Sequence, residues 1–266
     1  MKYVIPLIRN ALQASAIVTA LATGLAGCGG DDSGGTTAVA RDAVAAAAVK
    51  TVQIVPPNGT FAGQTYAQWA TAFWQWALAL PVTSPQNYPH PFNDCNARPI
   101  SADQSGNVWF WSAPDAVEIC NQSATIIPAG KAIFLTMLDV EASSLDPSPF
   151  FATTPADQQA IAEKFFSRIG DLFCTIDDAV QVPNISSYHA ETQQFHFHAP
   201  TPWVFANVGG NGTSVGEGYF VMLQLPPGSH KIRYGGTIHL QQDDLYPGSP
   251  AQDIVKDVTL LITMGG

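Results

Sequence analysis

The chain is poor in charge. Asp, Glu, Lys and Arg make up only 12% of its 266 residues, and just 11 residues are basic against 21 acidic, for a net charge of −10. It contains no lysine- or arginine-rich run. Nucleic acids and anionic membrane surfaces are held by clustered basic residues, so neither is expected as a partner of the folded body. Cysteine is also scarce. There are 4 in the chain, and Cys95, Cys120 and Cys174 are too far apart for a zinc knuckle, which argues against a cysteine-built zinc site. Neither an alternating strand–helix pattern nor an internal repeat is present.

The N-terminus is apolar. Lys2 and Arg9 are followed by the alanine-rich run "ALQASAIVTALATGLAG", with no acidic residue before Cys28. This reads as a secretory signal, too short and too weakly apolar for a membrane span. It ends in "LAGC", Leu25 to Cys28, which resembles the lipobox of bacterial lipoproteins. The resemblance implies that residues 1–27 are removed and that Cys28 is lipidated. Gly29 after the cysteine, in place of an aspartate, implies the outer membrane. "GGDDSGGTT" then reads as a flexible tether. The expected division is a signal over 1–27, a tether over 28–50 and one domain over 51–266. With Cys28 lipidated, Cys95, Cys120 and Cys174 face an oxidising compartment. Cys95 and Cys120 flank one aromatic strand and are the natural disulfide pair, which leaves Cys174 as a buried thiol.

Two segments read as helices. In "TYAQWATAFWQWALAL" (65–80), Thr65 and Gln68 form a capping box. Tyr66, Trp69, Phe73, Trp76 and Leu80 recur at helical spacing, and Pro81 ends the run. The second is "PADQQAIAEKFFSRIGDLF" (155–173), with Thr154 as its cap, Pro155 at the first position and Asp157 in the first turn. The rest reads as strands between Pro/Gly turns, over 107–113, 131–140, a hairpin at 174–182, 193–199, 218–225, 229–236 and 255–264. The fold class is therefore mainly β, an antiparallel β-sandwich or jelly roll with two covering α-helices.

"YAQWATAFWQWALALP", "QSGNVWFWSA", "IIPAGKAIF" and "EGYFVMLQLPPGSHKIRYGG" resemble, in order and spacing, a family of secreted bacterial proteins. That family carries a W-x-W helix, a QSG-x-VWF strand, a PAGKA-[IL]-F strand and an LPPG-x-H-x-I-x-[FY]-GG hairpin. The resemblance spans most of residues 55–240. It implies an envelope protein of one compact domain and says nothing of chemistry.

Chemistry is carried by a few candidates. In "QFHFHAP" (194–200), alternation on a strand sends Phe195 and Phe197 to one face and His196 and His198 to the other. Two such imidazoles reach one metal ion, with His239, His230, Asp139 or Glu141 as the candidate third ligand. The same heptapeptide resembles the zinc strand of α-type carbonic anhydrases, which implies zinc on His196 and His198. The chain departs from that family in continuing as "TPWVF" and in placing His239 41 residues after His198. The other reading of the pair is two exposed histidines on a polar sheet face. "GTSVG" (212–216) matches the G-x-S-x-G elbow and makes Ser214 a candidate nucleophile, although a strand and not a helix follows it. Acidic residues gather at Asp139, Glu141 and Asp146, at Asp177 and Asp178, and at Asp243 and Asp244, as in calcium-binding loops. "YPHPF" (88–92) and "TPWVF" (201–205) offer Tyr88, Phe92 and Trp203 to a carbohydrate if exposed, and plug the core if buried.

No complete catalytic constellation emerges. The leading expectation is a lipid-anchored cell-envelope protein with a binding or surface-structural role. It would meet the membrane through its lipid and take a carbohydrate or other small molecule as ligand. The alternative is a zinc-dependent hydro-lyase or hydrolase, with His196, His198 and His239 on the metal and Glu141 acting on its water.

Overall fold

The computed structural model describes residues 51–83 and 88–266. The signal, the Cys28 lipidation site and the tether lie outside the described residues. The body opens with three two-residue strands, β1 (Gln53–Ile54), β2 (Thr60–Phe61) and β3 (Gln64–Thr65), and then helix α1 (Tyr66–Ala79). Strands β4 (Val108–Trp111), β5 (Val117–Ile127) and β6 (Ala132–Ser143) follow, then helix α2 (Pro155–Phe166). The remainder is β7 (Ile169–Ile176), β8 (Val180–Gln181), β9 (His189–Glu191), β10 (Phe195–Ala199), β11 (Gly210–Gln224), β12 (Gly228–Leu240) and β13 (Gln252–Met264).

The strands build a two-sheet β-sandwich. In the first sheet β11 pairs along its whole length with β6, and β4 lies beyond β6. β10, β9 and β1 pair with β11 in succession, at Gly210–Ser214, Glu217–Tyr219 and Leu223–Gln224. The second sheet runs β5-β13-β12-β7-β8. Most pairs are antiparallel, as expected, but β4 with β6 and β5 with β13 are parallel. A mixed sandwich therefore replaces the purely antiparallel one.

Helix α1 begins where the capping box places it, with Thr65 Oγ1 accepting from the Gln68 amide and Gln68 Oε1 accepting from the Thr65 amide. Its buried face is Tyr66, Ala70, Phe73, Trp74, Ala77 and Leu78. Phe73 meets Phe134 and Phe220, so α1 covers one face of the first sheet. On the other face, Leu138 packs with Phe165 of α2 and with Ile238 and Leu240 of the second sheet. Trp111 Nε1 donates to the fully buried Tyr234 hydroxyl at 2.8 Å and joins β4 to β12. The Cys95–Cys120 disulfide forms as expected and fastens the loop after α1 to β5. Cys174 is a buried free thiol whose pKa burial pushes up to about 12.

Candidate functional site

The site begins at an irregularity in β6. Register with β11 shifts between Tyr219 and Phe220, so that Tyr219 faces Leu138 but Phe220 faces Thr136. The extra residue, Met137, is a β-bulge, a device that re-aims the side chains following it. After the bulge, Asp139 and Glu141 share the face that looks toward α1, opposite Gly218 and Gly216 of β11. Both glycines are required by close approach. A Cβ at Gly216 would lie 2.2 Å from Trp74 Nε1, and one at Gly218 would lie 2.5 Å from the Asp139 Cβ. Along the opposite flank β4 accompanies β6 only as far as Leu135. A cavity of about 120 Å³ opens where β4 has ended, lined by the chain after β4, by β6 beyond the bulge and by Trp74.

Most of the wall is apolar and rich in aromatic rings, including Phe92, Phe150, Phe165 and Phe205. Five ionisable groups line it. Lys256, only 1% exposed, pairs with Asp115 at 3.0 Å. Burial is the main force on the other three. It lifts the Asp139 carboxyl to about 8, opposed by Lys256 and reinforced by Asp115. It also holds Glu141 well above the usual carboxylate range, helped by neighbouring Asp146. Asp146 itself is raised by burial to about 6, against hydrogen bonds from Glu141 and Ser143. Two carboxyls this close share one proton.

The sequence candidates can now be placed. Glu141 and Ser214, named separately, are joined: Ser214 Oγ donates to Glu141 Oε2. Neither is disposed for nucleophilic catalysis, because Ser214 lies in the middle of β11, fully buried, and not on an elbow before a helix. His196 and His198 point outward from β10 between buried Phe195 and Phe197, as alternation requires. His198 Nδ1 is bonded to Asn211 Oδ1 at 2.9 Å. His239 does not join them. It belongs to β12 in the second sheet, and its ring nitrogens meet Asp253 at 2.9 Å and Asp171 at 3.1 Å. Among the described residues, no three His, Cys, Asp or Glu side chains converge in a metal-binding arrangement.

The acidic turns serve the fold. Asp177 receives the His230 ring and the Lys231 amide, Asp244 holds Arg168 and Lys164, and Asp243 accepts from the Gly248 amide. Trp203 is 2% exposed and donates to the Leu78 carbonyl, so it is not an open sugar platform. Phe92, the candidate from the other loop, stacks on Phe205, and both rings are part of the cavity wall.

Sequence reasoning missed Trp74, Asp115 and Lys256. A signal existed for the lysine, because Lys256 is in phase with Val258, Leu260, Ile262 and Met264 on the inward face of β13. Two polar atoms of the site have no hydrogen-bond partner among the described residues, Trp74 Nε1 and Asp139 Oδ2. The arrangement can receive a small molecule that is mostly apolar and carries hydrogen-bonding atoms at one end. No protein-family model, curated protein or solved structure matches this chain, so the site's chemistry rests on its own residues.

Proposed function

We propose that the protein is a lipid-anchored component of the cell envelope, held through Cys28, whose folded body binds a small apolar molecule in the cavity lined by both sheets, Phe165 of α2 and Trp74 of α1. One observation carries the reading: the cavity's aromatic wall surrounds two shielded polar atoms that the protein leaves unmatched. Buried polar groups are ordinarily satisfied. A largely apolar pocket with a few convergent polar groups is the usual form of a small-molecule site. The apolar N-terminal run and the lipobox resemblance support an envelope location for it.

The test is thermal unfolding of the full chain with and without benzene, beside Ala113→Phe, which fills the cavity from the chain after β4. Benzene raises the melting temperature of the wild-type protein and not of the variant. An unchanged wild-type melting temperature at saturating benzene refutes the reading. The anchor is tested separately by incorporation of labelled palmitate, which Cys28→Ser abolishes.

A further inference from the structure

The cavity's unmatched atoms define the class of its occupant, an inference that rests on the binding reading above. Trp74 is 3% exposed, and its Nε1, shielded from solvent, has no acceptor among the described residues. An indole N–H can only donate, so an occupant must bring an oxygen or nitrogen acceptor to it. Asp139 retains some exposed surface as a residue, but its Oδ2 has none and lacks a partner as well.

The other ionisable groups of the wall are already engaged. Lys256 is neutralised by Asp115, and the Glu141–Asp146 pair is held by Ser214 and Ser143. The shielded polar atoms left without a partner in the wall are two, both on one face of the first sheet. Trp74 Nε1 sits over Gly216, and Asp139 stands beside Gly218, two positions along the same strand. Both side chains line the same cavity, and one hydroxyl oxygen can accept from an N–H while its own hydrogen is donated to a carboxyl.

Size and charge narrow the class. A cavity of about 120 Å³ is close to the ~150 Å³ of an engineered apolar cavity that holds benzene, so the body of the occupant is a single six-membered ring. Asp139 faces Lys256, Asp115 and Glu141, and burial in this apolar setting raises its carboxyl toward the neutral form, which favours a neutral guest over an ammonium. We infer that the cavity takes a neutral ring alcohol or phenol, whose hydroxyl bridges Trp74 Nε1 and Asp139 Oδ2.

The test compares phenol, toluene and benzylammonium at pH 7 on the full chain. Affinities come from calorimetry, and the Trp74 indole N–H is followed by NMR, with its signal identified by loss in Trp74→Phe. Phenol is expected to bind at least tenfold more tightly than toluene and to move the Trp74 N–H signal downfield. Trp74→Phe and Asp139→Leu should each reduce phenol to the level of toluene. Asp139→Asn, which keeps an acceptor, should retain part of the preference and guards against a folding defect. Equal binding of phenol and toluene overturns the hydroxyl class and leaves the binding reading standing. Tighter binding of benzylammonium than of phenol overturns the neutral class. If none of the three binds, both readings fall together.

Discussion

Replacing Asp139 by asparagine should make the protein more stable in alkaline solution. In the unfolded chain this carboxyl ionises near 3.8, whereas in the fold burial holds it protonated to about 8. Between those values unfolding releases a proton, so this group's contribution to stability falls as pH rises and stops falling above about pH 8. A rise from 3.8 to about 8, at about 1.4 kcal/mol for each tenfold change in ionisation, would make about 6 kcal/mol. Solvation of the carboxylate through the cavity lowers this, and we expect about 3 kcal/mol. Glu141 and Asp146, also raised by burial, add slopes of the same sign in both proteins. The difference between variant and wild type therefore reads chiefly Asp139, with a smaller part from its effect on Glu141. Urea unfolding of the two proteins from pH 5 to pH 8.5 reads it directly. They should lie within about 1 kcal/mol of each other at pH 5, with the variant gaining about 3 kcal/mol by pH 8.5. Parallel curves across that window would refute a protonated, buried Asp139.

Other perturbations test other parts of the fold. Cys95→Ala with Cys120→Ala opens a link between residues 25 apart and should cost about 3 kcal/mol, read by urea unfolding with and without reductant. Lys256→Met should cost about 3 kcal/mol by stranding Asp115 beside the core, and adding Asp115→Leu should restore most of it; no recovery in the double variant would mean that the pair is not coupled. Gly216→Ala drives a methyl into the Trp74 indole and should cost about 1–3 kcal/mol while shifting the Trp74 N–H resonance. His196→Ala with His198→Ala removes two exposed side chains and should change stability by less than about 0.5 kcal/mol. Metal content by mass spectrometry should match the wild type, and stoichiometric zinc lost in this variant would revive the metal reading.

Where local chemistry decides structure, the sequence was readable. Thr65 with Gln68, and Thr154 with Pro155, place the starts of both helices. The large side chains misplaced the inward face of α1, because Trp69 and Trp76 are only half-buried whereas Ala70, Trp74 and Ala77 are buried. Helix α2 stops at Phe166 and not at Phe173. Ile169 and Leu172 continue a helical rhythm, but that segment gains more as β7 beside β12. Strand β5 escaped notice because its inward face includes Gln122, buried and bonded to the Cys95 and Arg98 carbonyls. The first half of β11 reads as a turn because it carries Gly210, Gly212 and Gly216; at Gly212 and Gly216 a Cβ would meet Phe197 and Trp74. The site was legible only in fragments. Asp139, Glu141 and Asp146 look like a solvated acidic loop until the bulge at Met137 and the end of β4 are known, and pairing partners across a sheet leave no local trace.

The position of β1 has a mechanical consequence. Gln53 and Ile54 are the first paired residues of the body, held against Leu223 and Gln224 at the end of β11. Under the proposed anchor, tension would reach this two-residue strand before any other paired part of the described residues. Behind it stands a second fastening, in which the Tyr66 hydroxyl donates to the Val55 carbonyl at 2.8 Å and accepts from the Met222 amide at 3.0 Å. Load that peels β1 away is therefore passed to the Val55 amide, which donates to the Met222 carbonyl at 3.0 Å, and to the Tyr66 phenol, which ties the same segment to α1 and the first sheet.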